Sequence, residues 1–177
     1  LQGLHYSAKE HECKAAAEAL NALPNKRPGA QAYGIPADVS KLSEITRLVG
    51  EVSKTTDHVD IFFANAGTAW GSPIDKFSET GFDKVYELNV KSVFFMVQKF
   101  VLAFLLMRDT SEPNADSDPV QAFTLLEKKA TKENPSRVLV TGSIAGLGIG
   151  TLGEQANFSY SMSKAAVMHL ARNLAVE

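Results

Sequence analysis

Val59-Asp60-Ile61-Phe62-Phe63-Ala64 is a short, nearly continuous apolar run that closes on Asn65-Ala66-Gly67. Such a run reads as a strand buried on both faces of a parallel sheet, with helices on either side. The flanking segments supply those helices. Ser7 followed by Glu10 makes a capping box, and Cys13, Ala16, Ala17, Leu20 and Leu23 share one helical face before Pro24 stops the helix. A strand from Leu4 to Tyr6 precedes this helix. After a turn at Asn25 to Gly29, Gln31 to Asp38 reads as the next strand, and Ser40 caps a helix with Leu42, Ile45, Leu48, Val49 and Val52 on its buried face. From Thr80 to Met107 the positions Phe82, Val85, Val90, Val93, Val97, Phe100 and Phe104 recur at steps of three to five, which predicts one long amphipathic helix. A strand from Arg137 to Thr141 and a helix from about Tyr160 to the C-terminus complete the alternation.

Strands separated by helices imply right-handed crossovers and a doubly wound α/β sheet, with Val59 to Ala64 beside Arg137 to Thr141 at its centre. Ligands of such a sheet bind at the carboxyl ends of its strands, which directs attention to Asp38, Asn65 and Ser143. At 177 residues, 45% apolar and 21% charged, the chain has the composition of a soluble protein of one domain, residues 1–177. Its net charge of −2 provides no basic field for nucleic acid. The apolar stretch Val93 to Met107 is broken by Gln98 and Lys99 and is too short for a bilayer span, so no membrane partner is expected. Cys13 is the only cysteine, and no Cys/His cluster has metal-ligand spacing. These features fit a reducing, cytoplasmic setting without a metal. Residues 109–136, with three prolines and the acids Asp109, Glu112, Asp116 and Asp118, read as a solvated surface insertion, within which Val120, Phe123, Leu125 and Leu126 form at most a short helical turn. The chain starts without Met and without a signal segment, so its beginning looks cut.

Thr141-Gly142-Ser143-Ile144-Ala145-Gly146-Leu147-Gly148 follows a strand with the spacing of a phosphate-binding glycine loop. A loop of that kind opens directly into a helix, whereas here Gly150, Gly153 and Glu154-Gln155-Ala156-Asn157 prolong an irregular stretch, so the glycines are a poor cradle. Tyr160 and Lys164 lie four apart, on one face of a helix. Alone, that pair reads as a packed tyrosine with a surface lysine. With Ser143 at the end of the preceding strand, two hydroxyls and an ammonium share one rim of the sheet.

These residues, together with Asp38-Val39, Asn65-Ala66-Gly67 and Asn89-Val90, occur in the order found in the short-chain dehydrogenase/reductase family, and the chain resembles that family over nearly its whole length apart from the insertion. Asn65 to Gly71, Glu133 to Val138 and Gly153 to Ala156 narrow the resemblance to the rhamnolipid-type NADPH-dependent 3-oxoacyl reductases. The resemblance implies a Rossmann-type fold truncated at both ends, because the family places a first strand and a glycine-rich pyrophosphate loop before Leu1 and further elements covering the substrate after Glu177. It implies hydride transfer between NADP(H) and a carbonyl or secondary alcohol, with a 3-oxoacyl thioester as substrate. In that scheme Tyr160 protonates the carbonyl oxygen, Lys164 supplies positive charge and holds the nicotinamide ribose, Ser143 holds the substrate oxygen, and Asn89 supports a water path to Lys164. Asp38 and Val39 lie beside the adenine, and Asn65, Ala66 and Gly67 line the dinucleotide.

Other readings stay open for several of these residues. Asp38 and Asn65 are equally good turn formers at strand ends, and Asn89 is equally a helix-packing or bulge residue. For the 2′-phosphate that separates NADP from NAD, Ser7 and Lys9 are the available donors, though Ser7 also suits a helix cap and Lys9 a solvated first turn. Ala8 stands where relatives often have arginine. The resemblance further implies a homodimer or homotetramer built on the long helix and the helix after Tyr160. A catalytically inactive reductase fold used for assembly or regulation is the alternative.

Overall fold

A computed structural model describes residues 2–5, 9–102, 125–126 and 128–176. Strands β1 (Gln2–His5) and β2 (Gln31–Gly34) run parallel, with Gln2 opposite Gln31 and His5 opposite Gly34. Strands β3 (Ile61–Ala64) and β4 (Arg137–Val140) form a second parallel pair, with Ile61 opposite Arg137 and Ala64 opposite Val140. Helix α1 (Glu10–Asn21) joins the first pair, and α2 (Leu42–Thr55) leads from β2 to β3. A helical run of α3 (Glu79–Tyr86), a π turn (Glu87–Lys91) and α4 (Ser92–Leu102) lies between β3 and β4, and α5 (Phe158–Leu174) follows β4. Parallel neighbours joined through helices make the doubly wound α/β fold expected from the sequence.

The core forms where α2, α4 and α5 meet one face of β3. Ile45, Leu48, Val49 and Val52 of α2, Val93, Met96, Val97 and Phe100 of α4, Phe62 and Ala64 of β3, and Val167 of α5 are buried together. Phe62 and Phe100 stack with centroids 4.7 Å apart. Each large apolar side chain buried here contributes about 1.5–3 kcal/mol, so α2 is held by its stripe more than by its helix propensity.

Several details depart from the sequence reading. Strand β3 is covered on one face only: Phe62 and Ala64 are buried, but Ile61 is 58% and Phe63 53% exposed. Helices α2, α4 and α5 pack on the Phe62 side, and a short apolar run cannot reveal whether one face or both are covered. Strand β2 stops at Gly34 because Ile35 precedes Pro36, which lacks an N–H for a ladder and restricts the residue before it. A Cβ on Gly34 would lie 2.5 Å from the Cys13 carbonyl oxygen, so α1 packs at a distance only glycine tolerates. Helix α2 begins at Leu42 with Lys41 at its N-cap, not Ser40, whose hydroxyl is committed to Asp38. Helix α1 begins at Glu10 with Lys9 at its N-cap; it buries Cys13 and Ala17 but leaves Leu20 exposed, and Leu23 lies beyond its end. Ser7 and Tyr6 lie outside the described residues.

The long helix begins at Glu79, where the Ser78 hydroxyl accepts from the Gly81 N–H, and it is interrupted by the π turn; Phe104 and Met107 are outside the described residues. Helix α5 starts two residues before Tyr160. Of residues 109–136, positions 109–124 and 127 are not described. Leu125 and Leu126 are not solvated but buried in the core, and the Leu125 carbonyl accepts from the Val59 N–H at 2.7 Å. Among the described residues no helix is long and apolar enough to cross a membrane, and no group of three His, Cys, Asp or Glu is placed to hold a metal ion.

Candidate active site

The carboxyl ends of β3 and β4 lie side by side, and each runs into a loop. Asn65 follows β3 and Thr141 follows β4; the Thr141 hydroxyl donates to Asn65 Oδ1 at 2.8 Å and ties the two strand ends together. Beyond Asn65 the chain passes over Gly67, where an added Cβ would lie 3.1 Å from Asn89 Oδ1 and 3.7 Å from Lys164 Nζ. The absence of a side chain there lets the loop rest directly on two buried polar groups.

Asn89 reaches this junction because of the π turn. Within it the Ser92 N–H bonds the Glu87 carbonyl five residues back, and the extra residue turns Asn89 inward to 2% exposure. Its amide is fully used: Oδ1 accepts from the Thr68 N–H at 2.8 Å, while Nδ2 donates to the Thr68 carbonyl and the Ser163 hydroxyl, both at 2.9 Å. Lys164 comes from α5 and is only 5% exposed. Its ammonium donates to the Thr141 carbonyl at 2.8 Å and sits 5.7 Å from the centre of the Tyr160 ring, one turn earlier on the same helix. An ammonium has three donors, and among the described residues one of them is taken.

Ser143 stands two residues after Thr141, half-buried, and its oxygen accepts from the Ala145 N–H at 3.2 Å to start a 3₁₀ turn (Ile144–Gly146). A Cβ on Gly146 would come within 2.7 Å of the α5 backbone at Lys164 and Ala165, so this glycine serves close packing of the loop on α5. Neither the Ser143 nor the Tyr160 hydroxyl proton has an acceptor among the described residues. Beyond Ser143 the loop exposes Ile144, Leu147, Ile149 and Leu152, with Ile144 and Ile149 at 86%.

The structure thus gathers Gly67, Asn89, Tyr160 and Lys164, with Ser143 on the adjoining loop. The remaining positions are engaged differently. Asp38 accepts from the Ser40 hydroxyl at 2.6 Å and the Ser40 N–H at 3.2 Å, and pairs with Lys41 at 3.1 Å. The Ser40 hydrogen bond, aided by Lys41, holds its carboxyl below the usual range. Asn65 is held by the Thr141 hydroxyl. Val39 is buried in the core, and Ala66 packs against it. Lys9 is paired with Glu12 at 2.7 Å. Ser7 is outside the described residues. The sequence reading passed over Thr68, Thr141 and Ser163; the signal for Ser163 was its place between Tyr160 and Lys164.

Residues 2–112 match the family model described as short chain dehydrogenase. The chain is 37% identical over 150 residues to the rhamnolipids biosynthesis 3-oxoacyl-[acyl-carrier-protein] reductase of Pseudomonas aeruginosa, covering 82% of this chain and 49% of that protein. Among solved structures it is similar to the Pseudomonas aeruginosa RhlG/NADP active-site complex, with a TM-score of 0.72 and 34% identity over 97% of this chain and 55% of that one. An NADH-dependent reductase complexed with NAD shares the fold with a TM-score of 0.70 at 23% identity, covering 98% of this chain and 60% of that one. The chain therefore spans about half the length of the rhamnolipid reductase it matches.

Proposed function

The chain belongs to the short-chain dehydrogenase family, and from that premise we propose that it acts in NADP(H)-dependent carbonyl reduction, with a 3-oxoacyl thioester as substrate. The observation that carries this reading is the buried Lys164 ammonium, with donors to spare, beside Tyr160 and the strand-end loops. Buried cations are expensive unless they have partners, so the remaining donors suit hydroxyls of a ribose. Gly67 keeps the loop above it free of a side chain. These residues fit a nicotinamide dinucleotide, with Lys164 holding the ribose and Gly67 and Ala66 beside it; bound NADPH would supply the hydride.

Tyr160 delivers the proton to the carbonyl oxygen. Lys164 supplies positive charge on the same face of α5, its ammonium 5.7 Å from the centre of the Tyr160 ring. Ser143 donates its uncommitted hydroxyl proton to the same carbonyl oxygen and orients it. Asn89 holds the Thr68 end of the loop in place above Lys164. The exposed Ile144, Leu147, Ile149 and Leu152 offer an apolar surface suited to an acyl chain. The choice of NADP(H) over NAD(H) is supported by the 34% identity to a chain solved with NADP. Exposed Phe94 on α4 and Met162 on α5 support pairing with a second copy of the chain.

The test is NADPH oxidation by the protein expressed from its complete gene, against 3-oxoacyl thioesters and unrelated ketones. Turnover of the thioesters is expected, with NADPH preferred over NADH. NADPH binding without turnover of any carbonyl would favour the inactive assembly role.

A further inference from the structure

Ser163 is fully buried between the two α5 residues assigned to the chemistry. Its hydroxyl donates to the Tyr160 backbone carbonyl at 2.7 Å, which commits its one hydrogen. Only its lone pairs then face Asn89, and Asn89 Nδ2 fills one of them at 2.9 Å. The Thr68 N–H and carbonyl have already fixed which way the Asn89 amide points. The result is an unbroken buried chain from the Thr68 carbonyl through Asn89 and Ser163 to the Tyr160 carbonyl. It joins the loop after β3, the π turn and the first turns of α5. We propose that Ser163 is a positioning residue, setting the register of the Tyr160 and Lys164 turn of α5 against Asn89 and the loop over Gly67. This rests on the ketoreductase reading above.

Burial alone does not explain the hydroxyl. Ser159, four residues earlier on the same side of α5, is equally buried, and its oxygen has no hydrogen-bond partner among the described residues. The two serines share helix, burial and size, and differ in whether a bond is made. Without the Ser163 oxygen, the second Nδ2 hydrogen of Asn89 has no acceptor in a buried site, and the amide loses its hold on α5.

The experiment compares Ser163→Ala with Ser159→Ala in the protein expressed from its complete gene, reading amide hydrogen exchange at Thr68 by NMR and NADPH-dependent turnover. Ser163→Ala is expected to speed Thr68 exchange about tenfold, the worth of one neutral hydrogen bond, and to lower kcat by a similar factor while KM for NADPH stays within about twofold. Ser159→Ala should leave both unchanged. Ser163→Cys, of similar size and a weaker acceptor, should fall between, and it carries the test if the alanine variant does not fold. Unchanged Thr68 exchange in Ser163→Ala, or an equal effect from Ser159→Ala, would overturn the proposal. A wild-type protein that shows no reductase activity would sink the ketoreductase reading alone, since Thr68 exchange still reports whether Ser163 holds Asn89.

Discussion

The two ends of the β3 and β4 pair solve the same problem, tying a loop to a strand, by opposite means. At the carboxyl end the ties are buried: Asn89 and Lys164 are almost inaccessible and bond Thr68, Ser163 and Thr141 at 2.8 to 2.9 Å. At the amino end, beside the Val59 N–H bond to the Leu125 carbonyl and the Ser136 hydroxyl bond to the Val59 carbonyl, a charged cluster lies on the surface. Asp57 meets the His58 ring at 2.8 Å, Lys128 at 3.1 Å and Lys129 at 3.7 Å, and His58 also approaches Asp60 at 3.7 Å. The His58 hydrogen bond, followed by Lys128, holds the Asp57 carboxyl far below the usual carboxylate range. Water screens that cluster, so a short distance there carries little energy, whereas each partner removed from the buried end leaves a polar group with nothing to bond. The buried end fixes one geometry and can support chemistry. The exposed cluster fastens residues 128 and 129 to the turn before β3.

Lys164→Met should break the comparison most sharply. The thioether side chain fills the space of the stem while the ammonium disappears, so turnover should fall by about 10²- to 10⁴-fold while the protein stays folded by circular dichroism. Gly146→Ala comes next. Its Cβ would strike the α5 backbone at 2.7 Å, and an overpacked contact of this kind costs about 1–3 kcal/mol, measurable by urea unfolding. Gly50→Ala is the control of opposite sign. Within α2 nothing lies within 4 Å of the added carbon, so stability should rise by about 0.5–1 kcal/mol.

The smallest effect is expected at the exposed end. Because the folded state lowers the Asp57 pKa, its contribution is present above the unfolded value of about 3.9 and is lost as pH falls through the folded value. Asp57→Asn should remove that contribution at pH 7 and leave a shallower loss of stability on acidification. The difference from wild type should shrink at about 1 M salt, where charges separated by more than about 3 Å are screened.

The sequence made the fold legible wherever a pattern repeats. The run before Asn65, the apolar stripe of α2, and the pairing of the strand after Ser136 with the one after Asp60 needed only periodicity and the rules of parallel sheets. What escaped was decided by single residues. The π turn hid inside an accepted helical pattern, although the five-residue step from Val85 to Val90, against steps of three or four elsewhere, is the trace of its extra residue. Ser40 looked like a cap because cap preference is local, and the nearby Asp38 took its hydroxyl first. Leu125 and Leu126 were assigned to a solvated insertion because the acids and prolines before them dominate the composition of that stretch. Tyr160 and Lys164 were legible as a pair, but the spacing that revealed them says nothing of Thr68, whose backbone is what Asn89 holds.

The most direct test of the buried end as a catalytic junction is Tyr160→Phe, assayed for NADPH oxidation with a 3-oxoacyl thioester alongside NADPH binding by cofactor fluorescence. Removing the hydroxyl takes away the proton donor but leaves the ring beside Lys164, whose ammonium remains bonded to the Thr141 carbonyl. The expected result is turnover reduced to background with NADPH affinity largely kept. Retention of most of the turnover would contradict the assignment of Tyr160 as the acid and, with it, the reading of this junction as the site of reduction.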